Sequence, residues 1–290
     1  MDGQTGKGEE MKPMIVLQSD FSNTWSAVSS MKAIIKTVDR ELDVEDGSHE
    51  IDPFNIWMGA QELRDLVNVW PDGTVIVSVV DPGVGTERKA SVAELDNGTY
   101  VVSPDNGSFS LIRERITEIR QIDETVNRSR HNEKVAVFDG RDLFSYCAAK
   151  LASGIIDFEG VGPSYPVDDI VVCPEAVYEP VIEQGHVETF VTHVLPWYGG
   201  IRAAVTNEQF VRLAGFRLND RIHIVIRHKE QILFDEVVPF VKSFGDVKEG
   251  EPLVYEGSSL MISIDLNRGN FAKKYDIHAG MDWKITFDKK

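Results

Sequence analysis

The feature that most narrows the possible folds is the run Val75-Ile76-Val77-Ser78-Val79-Val80, bounded by Asp72-Gly73 and by Asp81-Pro82-Gly83. β-Branched side chains suit a pleated surface. A run without polar alternation has no face to offer to water, so the strand is predicted to be buried on both sides, with helices above and below its sheet. The flanking sequence supplies candidates. Residues 14–17 form a second apolar run, stopped by Ser19-Asp20. Residues 25–38 carry Val28, Met31, Ile34, Ile35 and Val38 at helical spacing, and residues 56–69 put Trp57, Ala60, Leu63 and Leu66 on one helical face. Asn97-Gly98, set between two short β-prone runs, predicts a hairpin. Residues 109–115 and 141–152 are read as helices, and residues 135–138 as a short strand.

Alternation of strand and helix predicts an α/β N-terminal domain over residues 14–165, with a mainly parallel three-layer sheet. Residues 166–180 hold several prolines and few helix signals, and are read as a linker. Short apolar runs at 187–191, 201–205, 222–226, 232–234, 253–255, 260–264 and 283–287 then predict a smaller all-β, barrel-like C-terminal domain over 181–290. Residues 1–13 are polar and glycine-rich, and are expected to be a loose tail.

Bulk properties exclude several classes. A net charge of −17 opposes binding to a phosphate backbone, so no nucleic-acid partner is expected. No apolar run is long enough to span a bilayer, so no membrane partner is expected either. Cys147 and Cys173 sit in apolar surroundings and read as buried free thiols, which suits a cytoplasmic protein. The seven histidines are scattered and show no metal-ligand spacing, so neither a metal nor a cofactor is expected. Nucleophile-elbow, phosphate-loop and dinucleotide fingerprints are all missing from the sequence.

Sheets of the predicted kind hold ligands beyond the carboxyl ends of their strands. Acid-bearing loops follow Leu17, Val80, Val102 and Phe138. In Asp81-Pro82-Gly83-Val84-Gly85-Thr86-Glu87-Arg88, two glycines allow close approach to the backbone, and Asp81 and Arg88 bracket the loop and could pair; the same residues also make an ordinary turn. Ser103-Pro104-Asp105-Asn106-Gly107-Ser108 likewise reads either as a turn or as a carboxylate, an amide and exposed N–H groups brought together. Asp139 opens a helix, as a cap or as a site acid. Asp20 ends a strand, where an acid can hold a ribose diol. His49 reads as a loop or core histidine.

In this order the loops resemble the SAM hydroxide adenosyltransferases, adenosine-forming hydrolases of S-adenosylmethionine related to the SAM-dependent fluorinase and chlorinase. The matching pieces are Ser19-Asp20-Phe21, Asp46-Gly47-Ser48-His49-Glu50-Ile51, Pro71-Asp72-Gly73-Thr74-Val75, the loop from Asp81 to Arg88, Pro104-Asp105-Asn106-Gly107, Phe138-Asp139-Gly140-Arg141-Asp142, Ser258-Ser259-Leu260 and Asn267-Arg268-Gly269-Asn270. The resemblance implies a homotrimer that binds a small nucleoside substrate between one subunit's N-terminal domain and a neighbour's C-terminal domain. It implies attack of water or hydroxide at C5′ of S-adenosylmethionine, with methionine leaving. It assigns Asp20, with Phe21 and Ser22, to the ribose side. Asp81, Arg88 and Asp139 fall to orientation of the attacking water. Asp105, Asn106, Ser258, Ser259 and Asn267 complete the expected substrate contacts.

Three departures stand out against the family pattern. Asp139 occupies the place of a histidine, and a carboxylate can also serve as a base. Ser22 replaces a glycine, while Trp25 and Ala27 replace an Asp and a Tyr. Pro196-Trp197-Tyr198-Gly199-Gly200 lacks the Asp and the Asn of an Asp-x-Phe-Gly-Asn segment that holds the methionine end. These changes keep two alternatives open: a nucleoside-binding module without turnover, and an enzyme for another 5′-substituted adenosine.

Overall fold

A computed structural model describes residues 12–130 and 137–290, which form two compact units, one up to Ala176 and one from Val177. The expected tail therefore lies almost wholly outside the described residues, as do the first two positions of the strand expected at 135–138; Val137 and Phe138 are irregular.

The first unit is built on strands β1 (Ile15–Ser19), β2 (Val44–Asp46), β3 (Val75–Val79), β4 (Lys89–Leu95), β5 (Tyr100–Asp105), β6 (Ile116–Gln121) and β7 (Ser164–Tyr165), in the spatial order β2-β1-β3-β5-β4-β6-β7. Strands β2, β1, β3 and β5 run parallel, whereas β4, β6 and β7 join antiparallel. The sheet is thus mixed, which corrects the expectation of a mainly parallel one. The cause is the Asn97-Gly98 turn, where Gly98 has φ +76 and folds β4 back on β5.

Helix α1 (Ala27–Val38) packs Met31, Ile34 and Ile35 against Ile15, Leu17, Val75 and Val77 on one face. Helix α2 (Ile56–Val69) packs Leu63 and Val67 against Val16, Ile76 and Val101 on the other. Both faces of β3 are consequently dry. The short helix α3 (Glu124–Asn127) follows β6. A π-helical turn, Gly140–Ser145, then runs into α4 (Tyr146–Ala152), whose Cys147, Ala148 and Leu151 join the α1 side.

Residues 109–115, expected as a helix, are turns ending in a single 3₁₀ turn, Arg113–Arg115. Ser110 Oγ donates back to the Gly107 carbonyl, which fixes a turn rather than a helical repeat. Residues 166–176 lie against the sheet, with Ile170 and Cys173 buried.

The second unit holds β8 (Val181–Glu183), β9 (His186–Val194), β10 (Ile201–Thr206), β11 (Arg221–His228), β12 (Gln231–Pro239), β13 (Pro252–Glu256), β14 (Met261–Leu266) and β15 (Gly280–Lys289), with the short helix α5 (Phe271–Tyr275). The strands follow the order β12-β11-β15-β9-β10-β14-β13, all antiparallel, and a single bridge between Phe240 and Val254 nearly closes the barrel. Its core centres on Phe210, stacked on Phe216 at 4.1 Å and met edge-on by Phe240 and Phe287.

Candidate active site

Strand register brings the first acids together. Ser19 pairs with Val79 across β1 and β3, so the next residues, Asp20 and Val80-Asp81, leave the sheet side by side. The Asp20 N–H donates to the Val79 carbonyl at 3.4 Å. On the other flank, β5 runs parallel to β3, and Asn106 Nδ2 donates to the Val80 carbonyl at 2.9 Å, which fixes the backbone just before Asp81.

The loop after β3 turns through Gly85 at φ +79 and returns Arg88 to Asp81. Arg88 Nε lies 3.1 and 3.0 Å from the two Asp81 oxygens, and its Nη2 lies 2.5 Å from Oδ2. The same Nη2 donates to Asp139 Oδ2 at 2.6 Å. Phe144 lies beneath the guanidinium, 5.4 Å from its carbon to the ring centre. Burial alone lowers the Arg88 pKa, but the hydrogen bonds to Asp81 and Asp139 prevail and raise it, so it stays a cation. The three residues proposed from sequence as catalytic therefore form one hydrogen-bonded cluster.

Asp20 borders that cluster. One of its oxygens accepts from the Phe54 N–H at 2.8 Å. Burial pushes its carboxyl up, Phe54 pulls it back, and the nearby Asp81 charge adds to the rise. Phe21 meets Phe138 edge to face at 5.5 Å, and Gly140 passes beneath both; a Cβ there would lie 2.9 Å from the Phe21 ring. Ser22 sits at φ +56, in the left-handed region, where the family pattern has glycine.

A chain of polar groups, running from the buried Ser19 and His49 out to the surface pair Asp46 and Lys32, supports this loop. Ser19 Oγ and His49 Nδ1 are 2.7 Å apart, His49 Nε2 and Asp46 Oδ1 are 3.2 Å apart, and Lys32 donates to Asp46 at 2.8 Å. Burial holds the His49 pKa below its usual value, partly offset by Asp46. A neutral ring then accepts from Ser19 and donates to Asp46.

Asp105 points elsewhere. Its oxygens accept from Tyr165 OH at 3.0 Å and from the Val171 N–H at 2.9 Å, so it ties down the segment that leaves the sheet.

In the second unit, Ser258 and Ser259 occupy the turn between β13 and β14. Ser259 Oγ is buried with no hydrogen-bond partner among the described residues. Asn267 Nδ2 donates to the Val247 carbonyl, and the residue lines a cleft of about 800 Å³ with Trp197, Tyr198, Phe244, Tyr255 and Asp265. Asp265 lies against Gly200, where a Cβ would be 2.1 Å from its Oδ2; burial pushes its carboxyl up to about 6. Trp197 and Tyr198 are exposed.

Sequence reasoning did not find Arg128. Its Nη1 donates to Asp139 Oδ1 at 2.9 Å, while its Nε and Nη2 hold Glu124 at 2.9 and 2.7 Å. The Glu124–Arg128 spacing of four residues was the available signal, but it reads as an ordinary surface helix pair.

Comparison with known proteins agrees with this layout. Residues 15–162 match the SAM hydroxide adenosyltransferase N-terminal domain, and residues 198–284 match its C-terminal domain. An (R)-S-adenosyl-L-methionine hydrolase of Thermus thermophilus is 32% identical, over 95% of this chain and 100% of its own length. One from Methanocaldococcus jannaschii is 31% identical, over 83% of each chain. The crystal structure of an uncharacterized conserved protein from Thermotoga maritima superposes with a TM-score of 0.83 at 29% identity, covering 95% of this chain and 100% of that one. With both domains matched in order and Asp81, Arg88 and Asp139 gathered at the strand ends, the chain belongs to the SAM hydroxide adenosyltransferase family.

Proposed function

We propose that the protein hydrolyses S-adenosyl-L-methionine to adenosine and L-methionine. The observation that carries the reading is the joining of Asp81 and Asp139 through one Arg88 nitrogen, beside Asp20 at the end of β1. In the reaction a water oxygen bonds to C5′ while the C5′–sulfur bond breaks and leaves its electron pair on sulfur. The departing methionine is a neutral thioether and needs no acid. The water proton passes to a carboxylate and on to solvent. What the site must supply is orientation, a dry wall and a proton acceptor. Asp81, held by the Arg88 fork, is the acceptor and orienter; Asp20 takes the ribose hydroxyls; Phe21 and Phe138 supply apolar walls. No step calls for a metal or a cofactor.

The finer assignments follow the family resemblance. Asn106 supports the Asp81 backbone, while Asp105 acts through the segment it anchors. Ser258, Ser259 and Asn267 serve the substrate from the β unit of a neighbouring subunit in a homotrimer. The free thiols Cys147 and Cys173 support a reducing, cytoplasmic setting. No described helix is long and apolar enough to cross a membrane.

A second reading, action on a different 5′-substituted adenosine, is favoured by Gly199-Gly200 and the Asp265 carboxyl packed against Gly200. Incubation of the purified protein with S-adenosyl-L-methionine, beside Asp81→Ala, decides between them. Adenosine and methionine formed only by the unaltered protein support the hydrolase. Intact substrate in both, with turnover of another 5′-substituted adenosine, supports the second reading.

A further inference from the structure

We infer that Arg128 is a positioning residue of the reactive cluster: it fixes Asp139 by one oxygen while Arg88 holds the other, and so keeps Arg88 and Asp81 in place. The inference rests on the hydrolase reading for its kinetic consequence and on geometry for the rest.

Charge supplies the need. Asp81 and Asp139 share one guanidinium nitrogen, and both side chains are only 5% exposed. Two carboxylates drawn to one cation repel each other, and the group carries one negative charge too many for a buried site. Arg128 brings the second cation. It reaches Asp139 Oδ1, the oxygen that Arg88 does not take. With each oxygen held by a different guanidinium, the carboxylate plane is fixed.

Arg128 is itself anchored. Glu124 takes its Nε and Nη2, which aims Nη1 at Asp139. Asn127, the residue before it, is fully buried; its Nδ2 donates to the carbonyls of Gly160 and Val161, and its Oδ1 accepts from Lys150 at 2.7 Å. Asp123 caps the same turn by accepting from Thr125. The short helix α3 is thus fastened to the core, and the guanidinium it carries has a set position.

The test uses Arg128→Met, Arg128→Lys and Glu124→Gln in the full chain. Arg128→Met is expected to lower kcat for S-adenosyl-L-methionine by about 10- to 100-fold, with little change in KM, because misplacement of an orienting group acts on the chemical step. Added guanidinium ion should return part of that loss, and Arg128→Lys should lie between. Glu124→Gln should lower kcat less than Arg128→Met. Unchanged kcat in Arg128→Met, or a loss that only follows the folded fraction, overturns the inference. A crystal structure of Arg128→Met separates the two readings. Asp139 displaced from Arg88 supports the inference even if the unaltered protein cleaves nothing, a result that removes the hydrolase reading alone. An unmoved Asp139–Arg88 contact overturns it.

Discussion

Arg88 Nη2 stands 2.5 Å from an Asp81 oxygen and 2.6 Å from an Asp139 oxygen, so a single nitrogen joins loops that are 51 residues apart in the chain. Replacing Arg88 by Met leaves two buried carboxylates without their common partner. Stability is expected to fall by about 3 kcal/mol, within the range for a broken buried ion pair. Turnover should fall by about 100-fold or more, as for loss of a fixed electrostatic group. Arg88→Lys should recover little activity, because an ammonium cannot present the fork. Denaturant titration and kcat/KM on the same preparations check both effects; wild-type turnover in Arg88→Lys would refute the fork.

His49 is expected to make the fold acid-sensitive. Its pKa is lowered by burial, so between the folded value and the ordinary 6.5 the unfolded chain binds more protons than the folded one. The stability it contributes is therefore present above pH 6.5 and is lost as pH falls through the folded value. His49→Gln should flatten the fall in Tm between pH 7.5 and pH 5. Equal slopes in the two proteins would detach His49 from that behaviour.

Asp265 works in the opposite sense. Its carboxyl is raised from 3.8 to about 6 by burial, so the folded state favours the protonated form. Any stabilisation is complete below pH 3.8 and is lost as pH rises through about 6. Asp265→Asn should be more stable than the parent at pH 8, by on the order of 2 kcal/mol, and equal to it near pH 3.5. Thermal melts across that interval measure the difference. No gain at pH 8 would mean that the charged form is well solvated in the cleft.

Gly107 closes the turn after β5 at φ +117, and a Cβ there would lie 2.5 Å from Cys173 Sγ. Gly107→Ala is expected to cost about 2 kcal/mol or more, from backbone strain and overlap together. Adding Cys173→Ala should recover the overlap and leave the strain. If the double variant is no more stable than Gly107→Ala, the sulfur contact carries none of the cost.

The layers of the first unit were legible because burial on both faces leaves a local mark. The Val75–Val79 strand, the Met31–Ile35 face of α1 and the Leu63–Val67 face of α2 all show it. Strand direction leaves a weaker one. The Asn97-Gly98 hairpin already implied an antiparallel partner for β5, yet the alternation of elements suggested a parallel sheet. Residues 109–115 misled because Phe109 and Ile112 are spaced like a helix face, while the Ser110 hydroxyl stabilises a turn. In the site, the Asp81–Arg88 pair was visible because a short loop of six residues brings them together. Asp139 meeting Arg88, and Arg128 meeting Asp139, depend on tertiary packing that no short window contains.

The π-helical turn at Gly140–Ser145 has a consequence for how this chain can change length. Such a turn holds one residue more than an α-helix needs for the same advance. Here the surplus is accommodated by Ser145, whose hydroxyl donates to the Gly140 carbonyl at 2.7 Å. Removing one residue from the segment would let α4 keep its seat while the remainder rewinds as regular helix. Everything upstream would then keep its direction, because the residue lost is the surplus one, and Asp139 would still face both arginines. A deletion inside α4 has no such surplus to draw on: it would turn the segment before it by about 100°, the angular step of one helical residue, and carry the acid away from Arg88 and Arg128. Loss of a residue is thus absorbed at this turn and steers the acid when it falls beyond it.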